Sequence, residues 1–362
     1  MALSKIDPAG LDIGQIGGRR NLIINGAMQV AQRGTSSSGG GYNTVDRFEL
    51  TKNNLDQMGT TTTQSTDAPT GFANALRLVA SPAETAIAAD ERVYFRYKFE
   101  GQDLQQLKKG TADAVSVTLS FWVKSDVTGN YAVKLEDTDN TRSIGSTYTI
   151  SSADTWEYKT LTFAGDTTGA LDNDNNTSLR IDWYLMAGSD YTSTDNTSWG
   201  AHVTGKSAYG HTASFGTTDS DNWQITGVQL EVGDTATPFE HRSFGEEHRL
   251  CQRYFQKSFA YSTTPADGIY STGSGTAWEG SNNGRAMWVS WPVEMRSTPT
   301  FTPYGNSGKW QIFTGSSWQT VTNTNIGAGS SSTGFYAVLV GVTNSNLHPW
   351  YCKGDYTVDA EL

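Results

Sequence analysis

The sequence predicts an all-β protein, built as a sandwich or barrel. Segments in which apolar and polar residues alternate are separated by loops rich in Gly, Ser, Thr, Asn and Asp, a pattern typical of many short strands. Charged residues make up 17% of the 362 residues and aromatic residues 11%, and the residues on which helical proteins rely are scarce. Strand and helix patterns do not alternate along the chain, which disfavours folds with a parallel sheet.

The N-terminal segment, residues 1–20, has no strand pattern. It contains Gly, Pro and scattered apolar residues, so we expect an extended or docking segment there. Alternation with a period of two then predicts strands over 91–99 and 115–123. In the second of these runs the predicted core residues are separated by the residues of the solvent face, Ser116, Thr118, Ser120 and Trp122.

The same alternation predicts strands at 131–135 and 179–185, and a further strand with a change of phase over 223–232. Trp223 and Ile225 share one phase, whereas Val228, Leu230 and Val232 share the other, with Gly227 at the change. A glycine at a phase change inside a strand is typical of a β-bulge. We therefore expect the bulge at Gly227.

One helix is predicted, over residues 244–256. Ser243 and Glu246 have the spacing of a capping box, and Leu250, Cys251, Tyr254 and Phe255 follow at helical spacing. The further strands predicted after it are Met287–Met295, Trp310–Phe313, Phe335–Val342 and Tyr356–Leu362. Pro292 is expected to confine the first of these strands to an edge or a bulge. The third is expected to be central.

Charge and composition disfavour several classes of protein. The 37 acidic residues exceed the 26 basic ones, whereas a nucleic-acid-binding chain needs a concentrated basic surface. We find no apolar run long enough for a membrane span, and the N-terminus lacks the apolar core of a signal peptide. The two cysteines, Cys251 and Cys352, are interpreted as buried thiols rather than as a disulfide.

No catalytic motif is recognised, and no enzyme activity or required cofactor is predicted. The five histidines are dispersed, and neither a GxSxG sequence nor a phosphate-binding loop is present. One loop has the oxygen ligands that Ca²⁺ prefers, in Asp166, Asp172 and Asp174. The alternative for this loop is a solvated turn rich in Asn and Asp.

Aromatic residues within polar loops are the candidates for ligand binding. Exposed rings can stack on sugar faces while neighbouring polar side chains bond to hydroxyl groups. The candidates for glycan stacking are Tyr191, Trp199, Trp278 and Trp318. The alternative for each is packing in a core or an interface.

Six segments together resemble a class of bacteriophage tail-fibre-like virion proteins. They are NLIINGAMQVAQRGTS (21–36), TVDRF (44–48), the segment at 101–126, TWEYKTLTFAGD (155–166), the segment at 223–255 and WPVEMRSTPTF (291–301). The resemblance implies a jelly-roll sandwich similar to carbohydrate-binding modules, a smaller C-terminal β domain and a homotrimer. It transfers no catalytic residue, and Arg47, Trp122 and Glu231 within these segments are interpreted as structural.

The expected organisation is an N-terminal segment (1–20) that anchors the chain to other virion proteins, a jelly-roll sandwich (21–243), a linking helix (244–256) and a C-terminal β domain (257–362). The leading functional hypothesis is a virion structural protein of the tail-fibre or spike type that contacts host surface glycan, assembled in the host cytoplasm. The alternative is a fibre or cement protein that decorates the phage head. A capsular depolymerase is disfavoured because no internal repeat of fixed period is found.

Overall fold

The structure, a computed structural model, describes residues 19–269, 274–279, 285–305, 310–313, 317–320, 323–326, 330–340 and 350–362, in several C-terminal strands by their backbone alone. The chain divides into two compact units. The first contains residues 19–29, 36–41 and 48–243, and the second contains 30–35, 42–47 and the described residues from Phe244 onward.

The sequence placed all of 21–243 in the sandwich, but two short pieces of that range pack in the second unit. Gln32 explains the difference, because its side-chain amide donates to the carboxylate of Asp46 at 2.5 Å and to the carbonyl of Phe255 at 2.9 Å. These partners are distant in sequence, and no local pattern reports them.

The first unit is formed by antiparallel strands, which confirms the predicted all-β class. Its strands in chain order are β1 (Ser36–Ser37), β2 (Glu49–Asn53), β3 (Thr60–Ser65), β4 (Ala75–Ala80), β5 (Arg92–Glu100), β6 (Val117–Ser125), β7 (Gly129–Asp137), β8 (Arg142–Ile150), β9 (Glu157–Phe163), β10 (Thr177–Ala187), β11 (Gly200–Ala201) and β12 (Asn222–Val232). Short 3₁₀ helices lie at Gly101–Asp103, Gln105–Leu107, Ser189–Tyr191 and Thr204–Lys206.

These strands form a β-sandwich of two sheets. In the described residues the first sheet has the order β1-β3-β4-β12-β6-β9 and the second has the order β11-β8-β7-β10-β5-β2. Rings from both sheets meet in the core: Phe95 stacks on Trp223 with 5.7 Å between ring centres, and Phe121 lies 6.4 Å from Trp183. Apolar residues on alternate positions of each strand therefore form one core, and the other positions face outward.

The predicted bulge in β12 is confirmed. Pairing with β6 shifts register between Thr226 and Gln229, and Gly227 has a φ of 62°, in the left-handed region that glycine adopts readily. A Cβ atom added to Gly227 would lie 2.7 Å from Cζ of Phe72, so the position also lacks space for a side chain. The bulge lets β12 present core residues on both sides of the phase change.

The second unit contains one α-helix among the residues described, α1 (Phe244–Gln252). It is shorter than the predicted helix over 244–256, because Phe255 begins a strand that pairs with the C-terminal strand. Cys251 at the end of α1 is a fully buried free thiol, and burial raises its pKa well above the ordinary value. None of the helices in the described residues of either unit has the length and apolarity that a membrane span requires.

The strands of the second unit are β13 (Phe255–Lys257), β14 (Ser274–Glu279), β15 (Arg285–Ser290), β16 (Thr300–Tyr304), β17 (Gln311–Phe313), β18 (Trp318–Thr320), β19 (Asn323–Ile326), β20 (Gly334–Val340), β21 (Trp350–Lys353) and β22 (Asp355–Asp359). One sheet has the order β13-β22-β16, and the other has the order β18-β17-β21-β14-β15-β20-β19. The described core of this unit contains Trp291, Met295, Trp310, Phe335, Val358 and Ala360.

The strand predicted at Met287–Met295 has different bounds and a different position in its sheet from those that the sequence predicts. It begins at Arg285 and ends at Ser290, and it pairs with β14 on one side and β20 on the other, so it is not an edge strand. Pro292 has no N–H to donate, which is consistent with pairing that ends before this residue. The strand predicted at Phe335–Val342 is paired on both sides, with β15 and β19, although it is not at the centre of its sheet.

Arg47, interpreted as structural from the sequence, is buried in the second unit. Its guanidinium forms an ion pair with Glu361, and its Cζ atom lies 3.4 Å from the centre of the Tyr254 ring. Burial raises the pKa of Glu361, and the charges of Arg47 and Arg33 partly oppose this effect. These contacts attach the last residues of the chain to the second unit.

Candidate carbohydrate-binding sites

Trp318 is the most exposed of the three predicted stacking residues whose side chains the structure describes. It begins β18, the last strand at one end of its sheet, and 39% of the residue is exposed. Its ring centre lies 5.4 Å from that of Phe313, which is directly opposite on β17, and 4.5 Å from Nζ of Lys353. The tryptophan therefore stays oriented by its neighbours without being buried.

Polar side chains share this surface. The pairing places Gln311, Thr320 and Lys353 in the same phase as Phe313 and Trp318. The amide of Gln311 donates to the hydroxyl of Thr320 at 3.3 Å. We call these five residues the Trp318 face. An aromatic ring for the apolar side of a sugar, beside amide, hydroxyl and ammonium groups for its hydroxyls, is chemistry suited to a saccharide.

Trp199, a second predicted stacking residue, is half-buried and directly precedes β11. Its indole N–H donates to the carbonyl of Ala164 at 2.7 Å, and Nζ of Lys109 lies 5.0 Å from the centre of its ring. Lys109 itself forms ion pairs with Asp137 and Asp166. The structure thus brings together Trp199 and Asp166, two residues that the sequence proposed for different roles.

A cleft of about 410 Å³ is lined in part by Lys109, which also lines a narrow cavity next to Trp199. Its walls combine apolar and polar groups: Leu104, Gln105, Lys108, Lys109, Thr111, Asp113, Ala170 and Leu171. A concave site with apolar walls and a few polar groups is the usual form of a small-ligand site. This cleft is the second candidate surface.

The three aspartates proposed for calcium have separate partners. Asp166 accepts two hydrogen bonds from Arg142, at 2.7 and 3.0 Å; burial raises its pKa, but bonds from Arg142 and Lys109 outweigh burial and lower it. The backbone N–H of Asp172 donates to Asp139, and the carboxylate of Asp174 accepts from the side chain of Asn176.

Within the described ranges, no group of three or more His, Cys, Asp or Glu residues could hold a metal ion. Calcium binding in this loop stays a prediction. It would require Asp166 to exchange two cationic partners for the ion, which this arrangement does not favour.

Tyr191 is buried, whereas the sequence predicted an exposed loop residue. Only 7% of it is exposed, and its hydroxyl donates to the carbonyl of Asp90 at 3.0 Å. Its ring packs with Tyr94 and Tyr184, and the guanidinium carbon of Arg92 lies 4.3 Å from the ring centre. The loop folds onto the outward side of the second sheet, so in this conformation the ring is not accessible for stacking.

Trp278 lies in β14, and its side chain is outside the described residues. The structure therefore says nothing about its role as a stacking residue.

The outward side of the second sheet also contains a buried network of charges. Asp182 accepts from Arg96 at 2.7 Å and lies 3.2 Å from Nζ of Lys134. Burial raises the pKa of Asp182, but the charges of Lys134 and Arg96 outweigh burial and hold it well below the ordinary value. Burial, together with the charge of Lys134, lowers the pKa of His202 to about 4, so this histidine is neutral at pH 7. The network fixes the side chains of this sheet in one arrangement.

Sequence reasoning missed a group of aromatic residues on the outward side of the first sheet. Trp122, interpreted as structural, pairs across strands with Tyr158, and Trp156 precedes Tyr158 by two residues. The signal was present, because Trp122 alternates in phase with Ser116, Thr118 and Ser120, the polar face of its strand. A tryptophan on the polar face of a strand is a candidate for binding and not for the core.

The comparisons with known proteins found structural neighbours only. No protein-family model and no curated protein matches the chain. The enzymatically active domain of tailspike protein 4 from bacteriophage CBA120 is similar, with 11% identity and a TM-score of 0.31; the similarity covers 59% of this chain and 21% of that one.

Two carbohydrate-binding domains are also similar. A family 11 module from Clostridium thermocellum, solved with a β-1,3-1,4-mixed-linked tetrasaccharide, has 10% identity and a TM-score of 0.29, over 56% of this chain and 99% of that one. The CBM22-1 xylan-binding domain of Xyn10C from Paenibacillus barcinonensis has 10% identity and a TM-score of 0.25, over 56% of this chain and 94% of that one.

Proposed function

We propose that the protein is a bacteriophage virion structural protein, a tail-fibre or spike-type appendage that contacts host surface glycan. The virion assignment rests on the resemblance of the segments between residues 21 and 301 to tail-fibre-like proteins. The glycan assignment rests above all on the exposed ring of Trp318 among the polar side chains of the Trp318 face. The cleft that Lys109 lines supports it as a second contact.

Each contact is expected to be weak, because an open face with one stacked ring buries little of a sugar. Several copies on one particle would raise the effective affinity by about 10²–10⁴ through avidity. The homotrimer that the resemblance implies would contribute to this effect. A mass three times that of one chain by light scattering is the expected result, and a monomer at micromolar concentration would contradict it.

Binding of the purified protein to host cells tests the glycan contact. Trp318→Ala should reduce binding about tenfold, the equivalent of about 1.4 kcal/mol, and Trp199→Ala should reduce it less, because that ring is half-buried. Tyr209→Ala is the matched control, since Tyr209 is 40% exposed and belongs to neither surface. Unchanged binding by both tryptophan variants, with their folds intact, would refute these two contacts.

Binding without catalysis is expected. Host polysaccharide incubated with the protein should keep its chain length, as measured by size-exclusion chromatography. Release of oligosaccharides would make the protein a depolymerase.

The position on the particle separates the proposed appendage from the alternative, a fibre or cement protein of the head. Gold-labelled antibodies against residues 257–362 should bind to the tail of intact particles. Labelling spread over the head would favour the alternative.

A further inference from the structure

The outward side of the first sheet carries a cluster of accessible rings. Trp122 on β6 and Tyr158 on β9 are directly paired, with 5.4 Å between ring centres and 51° between ring planes. Tyr158 is 45% exposed, and Trp156 precedes it by two residues. Nζ of Lys124 lies 5.5 Å from the centre of the Trp156 ring. Three rings therefore border one patch of the sandwich surface.

A carboxylate beside these rings is fixed by three donors. Asp67 accepts from Lys124, from the indole N–H of Trp156 at 3.3 Å and from the amide of Gln224 at 3.2 Å. The hydrogen bond from Lys124 is the main reason that the pKa of Asp67 is lowered. Asp67 is thus an ionised acceptor that is already oriented before any ligand arrives.

Arg77 supplies a positive charge in the same row of the sheet. Gln224 pairs with Arg77 of β4 on one side and with Lys124 of β6 on the other, so the three side chains are in phase. With strands about 4.8 Å apart, the Cα atoms of Arg77 and Lys124 are separated by roughly 10 Å.

Lys124 is paired with Asp67, whereas Arg77 forms no ion pair with any carboxylate of the described residues. The Nε atom of Arg77 is buried and has no hydrogen-bond partner among them. This patch therefore carries an uncompensated cation in a chain whose formal charge is −11.

We propose that this patch, formed by Trp122, Trp156, Tyr158, Asp67, Arg77 and Gln224, binds an acidic saccharide. A sugar ring lies on Trp122 and Tyr158, and its carboxylate pairs with Arg77 in the two-pronged geometry that guanidinium groups favour. Asp67 and Gln224 bond to its hydroxyls.

This inference rests on the proposed glycan contact but assigns a separate site and a ligand class. The centres of protein–protein interfaces are depleted in charged residues, and here a partner protein would have to bury the Lys124–Asp67 pair together with Arg77. A saccharide provides hydroxyls and a carboxylate for these same groups, so a sugar is favoured over a protein.

The test is an NMR titration of the full-length protein with glucuronic acid, galacturonic acid and N-acetylneuraminic acid, each also as its methyl ester. At least one acid should shift the indole N–H signals of Trp122 and Trp156, and its ester should bind about tenfold more weakly. Arg77→Gln should reduce the affinity for the acid to that for the ester, and Trp122→Ala should reduce both. Arg249→Gln, which removes an exposed cation on α1, is the matched control and should change neither.

Three results would overturn the inference: no shift with any of the acids, equal binding of acid and ester, or binding that Arg77→Gln leaves unchanged. The last result combined with loss of binding in Trp318→Ala would assign the ligand to the Trp318 face, and the proposed function would survive. Acid binding at Trp122 with no saccharide bound at the Trp318 face or the cleft would support this inference and reject those two contacts.

Discussion

Nζ of Lys353 lies 4.5 Å from the centre of the Trp318 ring, at the end of a sheet where the ring remains accessible. A cation over an indole ring at an exposed site contributes about 0.5–1 kcal/mol, enough to favour one orientation of the ring. Phe313 contacts the same ring from the neighbouring strand. A stacking surface held in place before binding loses less entropy when a sugar arrives, which matters most for weak contacts.

Gly227→Ala should destabilise the sandwich by about 1–3 kcal/mol. An alanine at a φ of 62° is strained, and its Cβ would lie 2.7 Å from the Phe72 ring. Urea unfolding measures the free energy of the first unit. Gly71→Ala is the control in the same unit, because Gly71 also has a positive φ, of 99°, but no atom lies within 4 Å of an added Cβ, so alanine there should cost less. Equal effects of the two changes would contradict the role of the bulge.

Asp182→Asn should cost about 3–5 kcal/mol at pH 7, because it leaves Arg96 without its carboxylate partner and Lys134 with Glu136 alone. The pKa of Asp182 is lower in the folded state than the unfolded value near 3.9, so the folded state binds fewer protons there. Its contribution is complete above about pH 5 and is lost as the pH falls. The variant should therefore lose less stability than the parent between pH 5 and pH 3, as measured by thermal unfolding; parallel curves would exclude this contribution.

His202 should remain neutral in mildly acidic solution. Its pKa of about 4 lies below the unfolded value near 6.5, so the folded state takes up its proton later than the unfolded state does. Stability linked to His202 is therefore present above about pH 6.5 and is lost as the pH falls toward 4. An NMR titration of the imidazole should show a midpoint near pH 4. A midpoint at 6.5 or above would mean that the ring is solvated, in conflict with its burial beside Lys134.

Deletion of residues 2–18 should leave a folded protein that no longer enters particles. This segment has apolar residues separated by Gly, Pro and Asp, too few for a core, and we propose that it anchors the chain to another virion protein as an added strand. Immunoblots of purified particles measure incorporation, and circular dichroism checks the fold. Packaging of the truncated chain at the normal copy number would place the attachment elsewhere.

The strands were predictable wherever one face packs in the apolar core and the other carries mostly polar residues, whether or not these are exposed. This holds for β5, β6, β7 and β10, and for the bulge in β12, because burial imposes the period of two directly on the sequence. The end of α1 was predicted less well, since Tyr254 and Phe255 continue the helical spacing but are buried through contacts with the C-terminal strand. Pairing between distant strands overrides local periodicity there.

The candidate sites were predicted only in part, because ring exposure depends on contacts that are distant in sequence. Tyr191 and Trp318 both lie in polar stretches, yet one is covered by the loop packing on Tyr94 and Tyr184 and the other is not. Trp122 shows the opposite case. Its phase in the alternation indicated an outward position, but only the structure shows that Tyr158 accompanies it.

The most direct test of glycan binding follows the indole N–H signals of the ¹⁵N-labelled protein while oligosaccharide from the host surface is added. The signal of Trp318 should shift progressively. Those of Trp183 and Trp223, both fully buried in the sandwich core, should not move. A Trp318 signal that stays fixed while the same oligosaccharide blocks binding of the protein to host cells would contradict the Trp318 face as the glycan contact.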